Sequence, residues 1–173
     1  MHLLEEVKIS CATEGDIPRI ISFLSRPEID QAFVRPLSNR GISIKERVEN
    51  KFPNGFWLIA SHDEEIVGCR GCKGVIDHER RIVEFSTTAI APDFRGIGLG
   101  PALLRTAVKI AFERYLPLIM RYNSWSTNIA MRKASLKAGF TVSRIFEDPW
   151  KRPPGVKSVE YSLDCSNLYL DER

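Results

Sequence analysis

The run Arg95-Gly96-Ile97-Gly98-Leu99-Gly100-Pro101 alternates three glycines with two apolar residues and ends in proline. Downstream of it, Leu104, Ala107, Val108, Ala111 and Tyr115 recur with helical spacing. Proline fits a first helical turn because the N–H it lacks has no partner there, so the spacing predicts a glycine loop feeding a helix N-terminus. Glycines turn the backbone without a Cβ clash, and the first-turn N–H groups, with the positive end of the helix dipole, face the mouth of the loop. That arrangement suits an anion, a phosphate above all. Two phosphate loops are excluded by spacing. A nucleotide P-loop needs Lys-Ser/Thr after its last glycine, where Pro101-Ala102 stands. A dinucleotide fingerprint needs G-x-G-x-x-G hard against a strand, whereas here the spacing is G-x-G-x-G and Pro92-Asp93 intervenes.

Other reactive side chains give weaker signals. Four cysteines occur, Cys11, Cys69, Cys72 and Cys165, and Cys69-Arg70-Gly71-Cys72 has zinc-like spacing. No second pair completes four ligands, and on a strand residues three apart point to opposite faces, so no metal site is expected. His2, His62 and His78 fall at the terminus and in turns, apart from one another, and read as surface residues. At 173 residues, 43% hydrophobic and 27% charged, the chain fits one soluble domain spanning 1–173. A net charge of +3 spread along the sequence argues against a nucleic-acid partner, and the absence of a long apolar run argues against a membrane one. The acidic start Met1-His2-Leu3-Leu4-Glu5-Glu6 does not resemble a signal peptide, and a cytoplasmic location is expected.

The elements that must position the loop follow from pattern and punctuation. Val7 to Ala12 reads as an opening strand, and Thr13-Glu14-Gly15-Asp16 starts a helix to about Leu24, with Asp16 as N-cap. Arg26 to Arg40 has two prolines and no period, and reads as loop or broken helix; a second helix covers Ile44 to Lys51. Three meander strands follow, Phe56 to Ala60, Ile66 to Val75 and Ile82 to Ala91, joined by turns short enough to make them antiparallel. After the loop and its helix come a strand over Leu118 to Tyr122 and a helix from Asn128 to Ala138 with Gly139 at C′. Phe140 begins a return to the sheet, and a break from Pro149 to Gly155 precedes a last strand, Ser158 to Leu163. The order β-α-α-β-β-β-α-β-α-β implies an α/β fold, a mixed and mostly antiparallel sheet flanked by helices.

Arg95, Gly98 and Gly100 match the pattern Arg/Gln-x-x-Gly-x-Gly/Ala. In that respect the chain resembles the GCN5-related N-acetyltransferases (GNAT), whose pyrophosphate loop has this form. A second stretch, Asn128 to Phe140, resembles the family's motif B, in which Asn opens a helix and Gly-Phe closes it eleven and twelve residues later. With the element order, the resemblance covers nearly the whole chain. It implies acetyl-CoA as co-substrate, no metal, and an amine acceptor. The coenzyme's pyrophosphate would rest on backbone N–H groups of Arg95, Gly96, Ile97, Gly98, Leu99, Gly100 and Pro101 as far as each has one. Its pantetheine arm would lie along the strand near Ala89 and Ile90, with Asn128 either reaching that arm or serving as a helix N-cap.

Acyl transfer needs an uncharged amine, hence a proton acceptor. Glu84 lies eleven residues before Arg95, the offset of the general-base glutamate in the histone-acetyltransferase branch, and is the candidate. Regular strand alternation puts it on one face with Ser86, Thr88 and Ile90. The competing reading is a salt bridge to Arg70 or Arg81. Where the family often has a tyrosine to protonate the leaving thiolate, seven residues after the motif B asparagine, this chain has Ser135, a weaker donor; Tyr122 is an alternative. Arg132, Lys133 and Lys137 read as a solvated helix face rather than a ribose-phosphate site. The acceptor pocket is expected between Arg26–Arg40, with Glu28, Asp30, Phe33 and Arg35, and Phe146–Val156, with Glu147, Asp148, Trp150, Lys151 and Arg152. The sequence supports an N-acetyltransferase first and a non-catalytic acyl-CoA-binding or partner-recruiting domain second, and leaves a homodimer open.

Overall fold

The computed structural model describes residues 3–33, 36–39, 41–147 and 155–166. Among these residues seven strands form one sheet in the order β1-β2-β3-β4-β5-β7-β6. They are β1 (Lys8–Cys11), β2 (Phe56–His62), β3 (Glu65–Asp77), β4 (Ile82–Ile90), β5 (Ile119–Trp125), β6 (Thr141–Phe146) and β7 (Ser158–Asp164). The helices are α1 (Ile17–Leu24), the single turn α2 (Pro27–Asp30), α3 (Ile44–Glu49), α4 (Leu99–Tyr115) and α5 (Ile129–Lys137). Two strands follow α5 where the sequence order has one, and β7 inserts between β5 and β6. Every pairing is antiparallel except β4 with β5, which α4 joins as a crossover. No helix among the described residues is long and apolar enough to cross a membrane.

Local chemistry accounts for the ends of these elements. Ser43 and Glu46 close a capping box at α3, with the Ser43 hydroxyl accepting from the Glu46 N–H at 3.1 Å and Glu46 Oε2 accepting from the Ser43 N–H at 2.8 Å. Asp16 does not cap α1 with its side chain; its carboxylate turns back to accept from the N–H and hydroxyl of Thr13, both at 2.9 Å. Asn128 caps α5, and Gly139 at φ +85° follows its end.

The core lies on both faces of the sheet. On one face α4 buries Leu103, Leu104, Ala107 and Ala111 against Leu58, Val83 and Phe85. The stacked rings of Tyr122 and Tyr161, 5.2 Å apart, extend this layer, with Phe140 edge-on to Tyr122. On the other, α1 and α3 set Ile20, Phe23, Leu24 and Val48 against Trp57, Ile59 and Cys69. Cys69 and Cys72 therefore belong to opposite layers, as their spacing on a strand requires. Burial pushes the Cys69 thiol up to about 12 and the Cys72 and Cys165 thiols up to about 11, so all three stay protonated and unreactive at neutral pH.

Several irregularities interrupt the β-meander, and two of them hold residues at positive φ. Gly74, at φ +80°, is pressed so closely on the preceding turn that a Cβ there would sit 1.8 Å from the Asn54 carbonyl oxygen. Gly74→Ala combines that clash with a left-handed backbone, and we expect it to cost about 3 kcal/mol or more in a urea titration. A loss below about 1 kcal/mol would contradict the close approach. The second irregularity is a bulge in β4. Arg70 pairs with Thr88 but Gly71 pairs with Ser86, leaving Thr87 as the extra residue at φ +31°.

Candidate functional site

β4 and β5 are paired at only three positions, Ile82 with Ile119, Val83 with Met120 and Glu84 with Arg121. Beyond Glu84 they separate, although β4 continues to Ile90 and β5 to Trp125. β4 stays paired to β3 along this length, with Ala89 opposite Cys69 and the Ala91 N–H donating to the Val67 carbonyl at 2.8 Å. Backbone groups alternate direction along a strand, so those of Thr88 and Ile90 point the other way, into the opening. The Ile90 carbonyl there accepts from Arg95 Nε at 3.0 Å.

A cavity of about 640 Å³ fills this opening. Thr88, Ala89 and Ile90 of β4 form one wall, Trp125, Thr127, Asn128, Ala130, Met131 and Ala134 another, and Ile29, Ala32 and Phe33 a third. Its mouth is the glycine loop, through Arg95, Gly96, Gly98, Leu99, Gly100 and Pro101. Gly98 caps α4 at φ +97° and Gly96 sits at φ +80°, conformations that favour glycine. A Cβ at Gly96 would meet nothing within 4 Å, so space is left over this part of the loop. Among the described residues, no acceptor pairs with the backbone N–H groups of 96 to 100. Free N–H groups, the positive end of a 17-residue helix and room above them make a cradle that fits a diphosphate. Arg95 braces it: besides Ile90, its guanidinium donates through Nη2 to the Glu28 carbonyl at 3.4 Å.

Of the residues singled out in the sequence, Ala89, Ile90, Arg95, Gly96, Gly98, Leu99, Gly100, Pro101 and Asn128 line this one cavity. Ile97 packs against the core beneath the loop instead. Asn128 Oδ1 accepts from the Met131 N–H at 3.0 Å, which makes it the N-cap and leaves its amide N–H₂ to point elsewhere.

Glu84 and Ser135 lie outside the lining. The Glu84 side chain, 13% exposed, is ion-paired through Oε1 to Lys73 and through Oε2 to Arg121 Nε at 3.3 Å. Its partners are thus neither Arg70 nor Arg81; Arg81 Nη2 donates to the Leu116 carbonyl, and Arg70 is engaged elsewhere. Nor does Glu84 share a face with Thr88 and Ile90. The extra residue Thr87 flips the alternation, so Ser86 stays beside Gly71 and Lys51 on the α1/α3 side, whereas Thr88 and Ile90 face α4 with Phe85.

Ser135 is fully buried. Its hydroxyl donates to the Met131 carbonyl at 2.6 Å and so accepts from the Tyr122 hydroxyl, tying α5 to the sheet. Burial pushes Tyr122 well above the usual phenol range, so it holds its proton. Arg132, Lys133 and Lys137 are exposed, as a solvated face requires. Of the acceptor segments, Phe33 lines the cavity, Asp30 accepts from the Ser38 N–H at 3.0 Å, and Glu147 pairs with Lys157 at 3.5 Å. His62 is half-buried on β2 beside Glu6 at 3.2 Å rather than in a turn, and His78 is exposed. His2, Arg35, Asp148, Trp150, Lys151 and Arg152 lie outside the described residues. Sequence reading missed Thr88, Trp125 and Thr127 as lining residues, and Arg70 behind Thr88; only the register of the bulge and the splay of β4 from β5 place them so.

The sheet parts beside a glycine-capped crossover helix to leave one cleft at that helix N-terminus, and comparison with known proteins assigns the architecture to a family. Residues 26–140 match the sequence profile of the acetyltransferase (GNAT) family. An amino-acid acetyltransferase from Actinobacillus pleuropneumoniae is 28% identical over 126 residues, 68% of this chain and 25% of that protein. The chain thus spans about a quarter of the length of the curated relatives it matches. Among solved structures, an acetyltransferase of the GNAT family from Streptococcus pneumoniae superposes with a TM-score of 0.75 at 17% identity, covering 92% of this chain and 99% of that one. A ribosomal-protein-alanine N-acetyltransferase from Brucella melitensis gives 0.71 at 20%, covering 91% and 99%. The yncA structure from Salmonella typhimurium, solved with its cofactor acetyl-CoA, gives 0.70 at 20%, covering 92% and 94%. The chain belongs to the acetyltransferase (GNAT) family.

Proposed function

We propose that this protein is an N-acetyltransferase that moves the acetyl group of acetyl-CoA directly to a primary amine. The observation that carries the reading is the opening between β4 and β5, which runs from a strand edge that no neighbouring strand covers to N–H groups without an acceptor among the described residues. A phosphate-bearing arm with its own amides matches both ends: the diphosphate accepts from the loop N–H groups, and the pantetheine amides pair with β4 as an added strand does. Asn128, its Oδ1 committed to the cap, has amide N–H₂ donors left for the same arm. Acetyl-CoA in the yncA structure supports the choice of donor.

The amine attacks the thioester carbon, forming the N–C bond as the C–S bond breaks and its electron pair leaves with sulfur; the proton lost from nitrogen must go to a base. Glu84, at the point where the strands part, is the proposed acceptor of that proton. Its partner Lys73 is half-exposed, so an incoming ammonium can replace it on Oε1 without uncovering a buried charge. Glu84→Gln is expected to lower kcat/KM about 100-fold at neutral pH, with recovery at higher pH as free amine accumulates. An unchanged pH–rate profile would take the base role from Glu84.

Coenzyme A release, measured with a thiol reagent over glutamate, an alanine-terminated peptide, spermidine and lysine, tests the function itself. The amino-acid and ribosomal-protein acetyltransferases among the relatives, and a spermidine N-acetyltransferase chimera among the structural neighbours, motivate that choice. A second reading, an acyl-CoA-binding domain without turnover, draws on Ser135, whose hydroxyl is already committed inside the protein. Tight acetyl-CoA binding with no transfer to any amine would favour it.

A further inference from the structure

Arg70 is the most deeply buried cation of the described residues, 1% exposed, and no carboxylate pairs with it there. Its guanidinium lies 5.2 Å from the ring centre of Phe85 and 5.1 Å from that of Tyr122. Nη1 donates to Thr88 Oγ1 at 2.7 Å, and Nε finds no acceptor among the described residues. Burial lowers its pKa to about 10, which still leaves it charged at neutral pH. Two ring faces offset only part of what a guanidinium loses on leaving water, so a positive charge stands beneath the cavity wall without its anion.

Thr88 connects that charge to the cavity. It is the innermost β4 residue of the lining, four residues beyond Glu84, the last position paired to β5, and farthest from the glycine loop. Its oxygen accepts from Arg70, its own O–H has no acceptor among the described residues, and a neighbouring cation makes that O–H a stronger donor. The bulge makes this contact: with Thr87 removed from the count, Thr88 would fall on the Glu84 side of the sheet, away from Arg70. A β-branched residue at φ +31° is strained, and the strain is spent on aiming one hydroxyl.

We propose that the Thr88 hydroxyl, polarised by Arg70, stabilises the coenzyme A thiolate as it departs, the task for which Ser135 is not available. This rests on the acetyl-CoA reading above. As the amine nitrogen bonds to the acetyl carbon, the C–S bond breaks and its electron pair stays on sulfur, which leaves as a thiolate. The proton lost from nitrogen passes to the base, and Thr88 donates a hydrogen bond to sulfur without losing its own proton. Thr88 is the catalytic residue in this proposal and Arg70 the positioning one.

Titration of the bound coenzyme A thiol, followed by its ultraviolet thiolate absorbance, tests this without turnover. In the wild-type complex the thiol is expected to ionise about one to three pH units below free coenzyme A. Thr88→Val should restore most of the free value, Thr88→Ser should keep the lowered one, and coenzyme A affinity by calorimetry should change less than about 3-fold in both. In an acceptor assay kcat should fall about 100-fold in Thr88→Val and recover in Thr88→Ser. Arg70→Met, should it fold, must behave as Thr88→Val does. A bound thiol that titrates like the free one in the wild type, or a Thr88→Val complex indistinguishable from it, overturns the proposal. Failure of the wild type to bind coenzyme A at all would instead remove the acetyl-CoA reading on which it stands.

Discussion

Gly98→Glu should abolish acetyl-CoA binding while leaving the protein folded. At φ +97° the residue caps α4 and lines the mouth of the cavity, so a glutamate there brings a carboxylate to the rim of the anion cradle, where the wild type offers only N–H groups. Steric conflict is small, since the nearest atom to a Cβ is Leu4 Cδ2 at 3.6 Å. The left-handed backbone costs a side chain about 1 to 2 kcal/mol, which a domain of this size tolerates. The carboxylate does the greater harm, because it takes the first-turn N–H groups for itself and repels a diphosphate. Losing those charge-assisted bonds, each about 1.5 to 3 kcal/mol, predicts an affinity loss of 100-fold or more. Gly98→Ala, with strain but no charge, should lose far less. Calorimetry on both, beside circular dichroism, separates the two effects; equal losses would mean that loop shape rather than anion binding is at stake.

Lys51→Met should stabilise the protein most below pH 7 and not at all above about pH 10.5. Lys51 is 6% exposed, with Nζ donating to the Arg47 carbonyl at 2.7 Å and lying 4.5 Å over the Trp57 ring. Burial first, then the neighbouring Arg47 and Lys73, lowers its pKa from 10.5 to about 7. Between those values the folded state carries a neutral amine while the unfolded state binds a proton. Unfolding there takes up a proton, so stability rises with pH by up to about 1.4 kcal/mol per unit. Below pH 7 both states are protonated and the folded one bears the full cost of a buried ammonium. Methionine keeps a chain of similar length over Trp57 and against Gly71, and removes the charge. Urea titrations from pH 6 to 10 should show a rising wild-type curve and a flatter Lys51→Met curve that meet near pH 10. Parallel curves would mean that Lys51 is solvated.

The glycine loop, the helix behind it and the α5 cap were legible in the sequence because each rests on local chemistry: glycine at positive φ, proline in a first turn, asparagine at an N-cap. The β4 bulge was not. Thr87 sits in the run Ser86-Thr87-Thr88 with no glycine or proline to mark an extra residue, so plain alternation put Thr88 on the Glu84 face. The partners of Glu84 were hidden for a different reason. Arg121 reaches it through the one parallel pairing of the sheet, whose register is set by how α4 packs across the crossover, a long-range property. The second strand after α5 and the insertion of β7 between β5 and β6 are likewise decisions of pairing. What propensity and capping dictate was readable; what depends on which strand edge meets which was not.

An amide NMR titration of the isotope-labelled protein with coenzyme A tests whether the loop N–H groups hold the diphosphate. The largest shifts are expected on Gly96, Ile97, Gly98, Leu99 and Gly100, followed by Thr88 and Ile90 along the open edge of β4. Saturation with these resonances unmoved and the shifts gathered on another surface would show that they do not.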